Sequence, residues 1–115
     1  MKHAALCLLL LLFCLAAAAK EQTVEVVLDE YTIDMPHELP PGPTTFVLRN
    51  EGQKTHSFKI VGPGLDVMLD ASVRPKATQS LQVTLQPGEY EIVCPIGSHA
   101  AKGMTMKLVV SRPPS

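Results

Sequence analysis

The chain has 115 residues, 10 Lys and Arg against 11 Asp and Glu, and a formal net charge of −1. That length suits one small domain and excludes a multidomain enzyme. No basic surplus is available to neutralise phosphates, so nucleic acid is not an expected partner. Apolar residues recur throughout the chain, which excludes an intrinsically disordered protein.

The first segment reads as an export address. Lys2 and His3 form a short basic start, and Ala4 to Leu15 is an apolar run. Ala17, Ala18 and Ala19 place small residues where a signal peptidase reads. We expect a cleaved signal peptide over 1–19, with cleavage after Ala19. The mature domain would then be 20–115, in the periplasm or outside the cell. The stretch Ala4–Ala19 is shorter than the roughly 20 residues that span a bilayer, so no integral span is expected after cleavage. Phe13 precedes Cys14 and Leu6 precedes Cys7, which disfavours lipid attachment at either cysteine. Cleavage removes both and leaves Cys94 as a lone thiol. In an oxidising compartment such a thiol is buried and inert, held by a metal, or paired between chains.

Beyond residue 20, turn signals come at short intervals: Pro40-Pro41-Gly42-Pro43, Asn50-Glu51-Gly52, Gly62-Pro63-Gly64 and Pro87-Gly88. The runs between them are rich in Val, Thr, Ile, Phe and Tyr. This pattern predicts an all-β Greek-key sandwich of about seven strands. The expected strands are Thr23–Leu28, Tyr31–Met35, Thr44–Asn50, His56–Val61, Gln79–Leu85, Glu89–Cys94 and Met104–Val110. Gly64–Pro75 is the least regular stretch and could hold a short helical turn. The tail from Ser111 reads as frayed.

Alternation of period two assigns a core face to each strand. Phe46 and Leu48 point inward on one strand, and Leu81, Val83 and Leu85 on another. Tyr90, Ile92 and Cys94 form a third inward row, with Glu89 and Glu91 opposite. His56, Phe58 and Ile60 form a fourth, and Met104, Met106, Leu108 and Val110 a fifth. Cys94 therefore ends one inward row and His56 begins another. A half-buried imidazole at a strand end needs a hydrogen-bond partner or a metal.

The chemistry is concentrated between Cys94 and Met104, where Cys94, His99 and Met104 follow a Cys-x4-His-x4-Met spacing. Thiolate, imidazole and thioether are donors that suit copper in both oxidation states. His56 adds a second imidazole, giving two His and one Cys around one copper ion, with Met104 as a long, weak axial ligand. Three donors on one loop and the fourth on a separate strand tie the site to a rigid sandwich, which limits geometric change between Cu(I) and Cu(II). Gly97 and Gly103 let the loop backbone turn tightly beside the ion. His37, before a Pro-rich turn, reads as an exposed loop residue. Met35, Met68 and Met106 are too scattered for a methionine-based carrier, and Glu89 and Glu91 read as a solvated face.

The sequence resembles the cupredoxins, the type 1 blue copper proteins, over nearly the whole chain after residue 20. The markers are Leu39-Pro40-Pro41-Gly42, Phe46 to Gly52, His56-Ser57-Phe58, Pro87-Gly88-Glu89-Tyr90 and Cys94 to Met104. The loop spacing is similar to that of rusticyanin. The resemblance implies a Greek-key sandwich, one-electron transfer, and His56, Cys94, His99 and Met104 as copper ligands. It also implies that electrons leave through the exposed edge of His99, ringed by Gly97, Ala100 and Ala101. The residue after the first His ligand is often Asn in the family. Here it is Ser57, whose backbone N–H and hydroxyl can still donate.

The leading expectation is an exported, monomeric one-electron carrier with a transient redox protein partner of cytochrome or oxidase type. It is not expected to be an enzyme, because one copper passes one electron and no substrate pocket stands out. The alternatives are a copper delivery or storage protein with the same fold, and a metal-free interaction module.

Overall fold

The structure is a computed structural model that describes residues 20–113. The predicted signal peptide, residues 1–19, and the last two residues of the tail lie outside the described residues. Among the described residues, nine strands form two sheets. The strands are β1 (Gln22–Asp29), β2 (Thr32–Asp34), β3 (Glu38–Leu39), β4 (Gly42–Asn50), β5 (Lys59–Gly62), β6 (Leu65–Met68), β7 (Thr78–Leu85), β8 (Gly88–Val93) and β9 (Thr105–Val110). One sheet has the order β2-β1-β4-β7 and the other β3-β9-β8-β5-β6. β1 pairs parallel to β4 and β3 parallel to β9, while the other pairings are antiparallel. The chain is the expected all-β Greek-key sandwich.

Alternation decides which side chains fill the space between the sheets. β1 buries Val24, Val26 and Leu28, and β4 buries Thr44, Phe46, Leu48 and Asn50. The facing sheet supplies Ile60, Tyr90, Ile92, Leu108 and Val110. Phe46 and Phe58 meet between the two layers with ring centroids 5.3 Å apart. Fully burying each such side chain stabilises the fold by about 1.5–3 kcal/mol, so the paired rings anchor the sandwich. Tyr90 carries a polar tip into the same core. Its hydroxyl accepts the backbone N–H of Gln86 at 2.9 Å and lies 3.1 Å from the Gln86 carbonyl as its acceptor.

Three expectations need correction. His56–Val61 is not one continuous strand, since β5 starts at Lys59 and His56 makes only an isolated bridge with Val73. The reason lies in Ser57, whose N–H turns to the Cys94 sulfur at 3.5 Å instead of joining a ladder. His56, Ser57 and Phe58 are consequently all buried, which breaks the alternation. Gly64–Pro75 holds no helical turn. Its first part is β6, which pairs antiparallel with β5 around Pro63-Gly64, where Gly64 has φ 66°. Finally, the strand expected over Tyr31–Met35 shrinks to Thr32–Asp34, and Tyr31 packs against the loop that carries His99. The two strands beyond the expected seven are the short β3 and β6. Two or four residues show too little alternation to be read from sequence.

Candidate metal centre

Cys94 follows the last residue of β8, and Met104 precedes the first residue of β9. These strands are paired up to Val93 and Thr105, so the loop starts and ends at one point of the sheet. The Cys94 N–H donates to the Met104 carbonyl at 3.0 Å and closes the loop at its neck. Within it, the His99 N–H reaches the Ile96 carbonyl and the Met104 N–H reaches the His99 carbonyl, each at 3.1 Å. A single 3-10 turn, Ala100–Lys102, fills the interior. Gly97 at φ 50° and Gly103 at φ 107° supply the two left-handed positions that this path requires. Hydrogen bonds within the loop thus fix the backbone at His99.

His56 arrives from a different direction. Its N–H and carbonyl exchange bonds with Val73, at 3.0 and 2.7 Å. Asn50, fully buried at the end of β4, holds the surrounding chain. Its side-chain amide donates to the Lys54 and Val73 carbonyls at 2.7 and 2.9 Å, and its side-chain oxygen accepts the Gly52 N–H at 2.8 Å.

The fold brings one donor atom each from His56, Cys94 and His99 within 4.8 Å of one another. Cys94 Sγ lies 3.6 Å from His99 Nδ1. The two imidazole rings are 5.0 Å apart, centroid to centroid. His56 and Cys94 are fully buried, whereas His99 is partly exposed. Met104 is also fully buried, and its backbone bonds to both Cys94 and His99. His37 is exposed, Met35 belongs to the core, and Met68 is half exposed on β6. Glu89 and Glu91 are exposed, with Glu89 3.7 Å from Lys107. None of these belongs to the cluster.

Two observations test whether a metal fits. Among the described residues the buried imidazole of His56 finds no hydrogen-bond partner for either nitrogen. Leaving such groups unmatched is costly, and a metal ion would satisfy one of them. Second, His99 is held below its ordinary value of 6.5, first by burial and then by the neighbouring charges of His56, Lys102 and Lys54, with Glu30 opposing. A neutral imidazole is the form that ligates. The gathered donors, two imidazoles and a cysteine sulfur, suit copper better than a hard cation.

Three residues at the site carried no chemical signal in the sequence. Tyr31 meets His99 edge-on, with ring centroids 5.2 Å apart, and Lys102 Nζ lies 4.9 Å above the Tyr31 ring. Glu30 lies 3.3 Å from His56 Nε2. Burial disfavours ionisation of Glu30, but the Lys54 N–H, the Asp29 contact and the Gln53 N–H outweigh it and hold the carboxyl at about 2. Asn50 could have been suspected from its Asn-Glu-Gly turn. Tyr31 and Glu30 could not, because a two-sheet packing brings them in.

A two-sheet sandwich with two imidazoles and a cysteine sulfur gathered at one pole defines a small domain suited to a single metal ion. The chain belongs to the cupredoxin-like domain family, which matches residues 2–110. The iron uptake system component EfeO of Yersinia pestis is 30% identical over 105 residues, covering 90% of this chain and 28% of the relative. The protein of the same name in Escherichia coli K12 is 29% identical over 82 residues, or 71% of this chain and 22% of the relative. The chain therefore spans less than a third of the length of these curated relatives. Among solved structures, auracyanin B superposes with a TM-score of 0.66 at 18% identity, over 78% of this chain and 88% of that one. Auracyanin A, a blue copper protein from Chloroflexus aurantiacus, gives 0.63 at 18% identity, over 80% of this chain and 100% of that one. A blue copper oxidase from Nitrosomonas europaea gives 0.64 at 15% identity, over 84% of this chain and 40% of that one. At these identities the likeness is one of fold.

Proposed function

We propose that the protein is an exported one-electron carrier whose single copper would be held by His56, Cys94, His99 and Met104. The observation that carries this reading is the convergence of three donor atoms within 4.8 Å on a scaffold that is already hydrogen-bonded. Copper supplies a one-electron step between Cu(I) and Cu(II). The chain's own residues do the rest. The loop bonds and the Asn50 network hold the ligands in one arrangement, so little has to move when the charge changes. Ser57 donates its N–H to the Cys94 sulfur, which tempers the charge of the thiolate. Burial of His56, Cys94 and Met104 keeps water away, while the partly exposed His99 ring offers the route outward. Gly97 and Ala101 around it are small and exposed, a surface suited to brief docking of a redox protein. Among the described residues no helix is long and apolar enough to cross a membrane.

The test is the visible spectrum of the protein with one equivalent of Cu(II). An intense thiolate-to-copper band that vanishes on reduction and in Cys94→Ser supports the reading, and a colourless protein sinks it. The relatives named as iron uptake components support a second reading, delivery of a metal ion rather than of electrons. Fast self-exchange between the Cu(I) and Cu(II) forms favours the carrier. Slow exchange, combined with transfer of Cu(I) to an acceptor, favours delivery.

A further inference from the structure

The structure holds a carboxylate in a built recess directly behind one of the proposed ligands. Glu30 lies in the turn after β1 and reaches across to the segment that leads into His56. Its Oε1 accepts the N–H of Gln53 at 2.9 Å and the N–H of Lys54 at 2.6 Å. The recess exists because residue 52 is glycine: a Cβ there would come within 2.5 Å of Glu30 Oε2. Gly52 is itself buried, so a side chain there would displace the carboxylate from its two backbone donors.

The same Oε1 lies 3.3 Å from His56 Nε2, although the pair is not aligned as a hydrogen bond. Among the described residues this nitrogen has no hydrogen-bond partner, Glu30 Oε1 is the carboxylate oxygen beside it, and the ring is fully buried. A neutral imidazole carries one N–H and one lone pair, so a carboxylate facing Nε2 assigns the proton to that side. Nδ1 is then the nitrogen with the free lone pair.

We propose that Glu30 is the positioning residue of the metal centre: it takes the Nε2–H of His56, presents Nδ1 to copper, and places a negative charge behind that ligand. This rests on the copper reading above. The two backbone donors from Gln53 and Lys54 fix the carboxylate independently of His56, so it forms part of the scaffold and does not follow the ring. A fixed anion behind a ligand favours the more highly charged ion, so Glu30 stabilises Cu(II) over Cu(I). Carboxylate partners of this kind raise ligand basicity and alter metal affinity by roughly 10–100-fold.

The experiment compares the copper-loaded wild type with Glu30→Gln and Glu30→Ala. Gln keeps an oxygen for the Gln53 and Lys54 N–H groups and removes only the charge. Glu30→Gln should retain the thiolate-to-copper band and lower the ratio of Cu(II) to Cu(I) affinity about tenfold, raising the potential by about 59 mV for one electron. The 15N spectrum of the Cu(I)-loaded wild type should show a His56 Nε2–H protected from exchange, and Glu30→Ala should lose that protection. An unchanged or lowered potential in a Glu30→Gln protein with an intact band overturns the proposal. So does a wild-type His56 that carries its proton on Nδ1, a measurement that decides the matter even where a variant does not fold. A wild type without the thiolate band overturns the copper reading and this one together, whereas a normal wild-type band with silent Glu30 variants overturns this one alone.

Discussion

The side-chain amide of Asn50 donates to the backbone carbonyl of Val73 across 2.9 Å, joining residues 23 positions apart. Val73 in turn exchanges both backbone bonds with His56. One buried amide therefore braces the strand end, the loop and the segment that together place the imidazole. Asn50→Ala would leave the Gly52 N–H and the Lys54 carbonyl without this partner, while the Val73 carbonyl keeps the His56 N–H. We expect a loss of about 1–3 kcal/mol in the metal-free protein, the cost of one buried group left unpaired, since the partly buried carbonyl recovers water. The denaturation midpoint measures it, and copper affinity should fall with it. A shift below a few tenths of a kcal/mol would show that the brace is idle.

Met104 is fully buried beside the cluster, and Leu nearly matches its volume. Met104→Leu should cost under about 1.5 kcal/mol in stability and leave copper bound. Removing a weak donor withdraws support from Cu(II) more than from Cu(I). The expected rise in potential is on the order of 59 mV, a tenfold change in relative affinity. An unaltered potential and spectrum would remove Met104 from the ligand set.

The metal-free protein should lose stability in two stages on acidification. His99 is depressed in the folded state from 6.5, so the unfolded chain binds its proton more readily. Stability then falls as pH drops below about 6.5. Glu30 is depressed from 4.5 to about 2, so its contribution is complete above 4.5 and is lost as pH falls toward 2. Denaturant midpoints taken across this range should show both limbs, with the more acidic one reduced in Glu30→Gln. A profile that stays flat from neutrality down to pH 4.5 and falls only below it would remove His99 from the first stage.

Gly97 and Gly103 should respond differently to alanine. At Gly97, with φ 50°, a Cβ meets nothing within 4 Å, and the backbone lies in the left-handed region that other residues visit. The cost there is about 1–2 kcal/mol. At Gly103 the φ of 107° lies at the far edge of the left-handed region, where a side chain is more strained, although the nearest atom, the Tyr31 carbonyl oxygen, is 3.9 Å away. That strain costs about 1–3 kcal/mol, and because Gly103 sits between His99 and Met104 it should also weaken copper binding. Thermal melts of both variants with and without copper distinguish the two effects.

Alternating apolar residues on β1, β4, β7, β8 and β9 made the sandwich legible, because burial on one face of a strand has a period of two wherever the strand exceeds about five residues. The donors Cys94, His99 and Met104 were legible for a related reason: three chemically distinct side chains at fixed spacing lie on one short loop. His56 stood out because it precedes an inward row, although the local chain is a bridge and not a strand. Tertiary structure alone decided how these parts meet. The neck bond from Cys94 to Met104 and the bridge from His56 to Val73 bring His56, Cys94 and His99 within reach of one another. The same packing sets Tyr31 against His99 and Glu30 behind His56, residues separated by 68 and 26 positions that no local pattern relates. Local sequence dictates which face a side chain takes, but its neighbours across the sandwich depend on how the two sheets cross, which is a property of the whole chain.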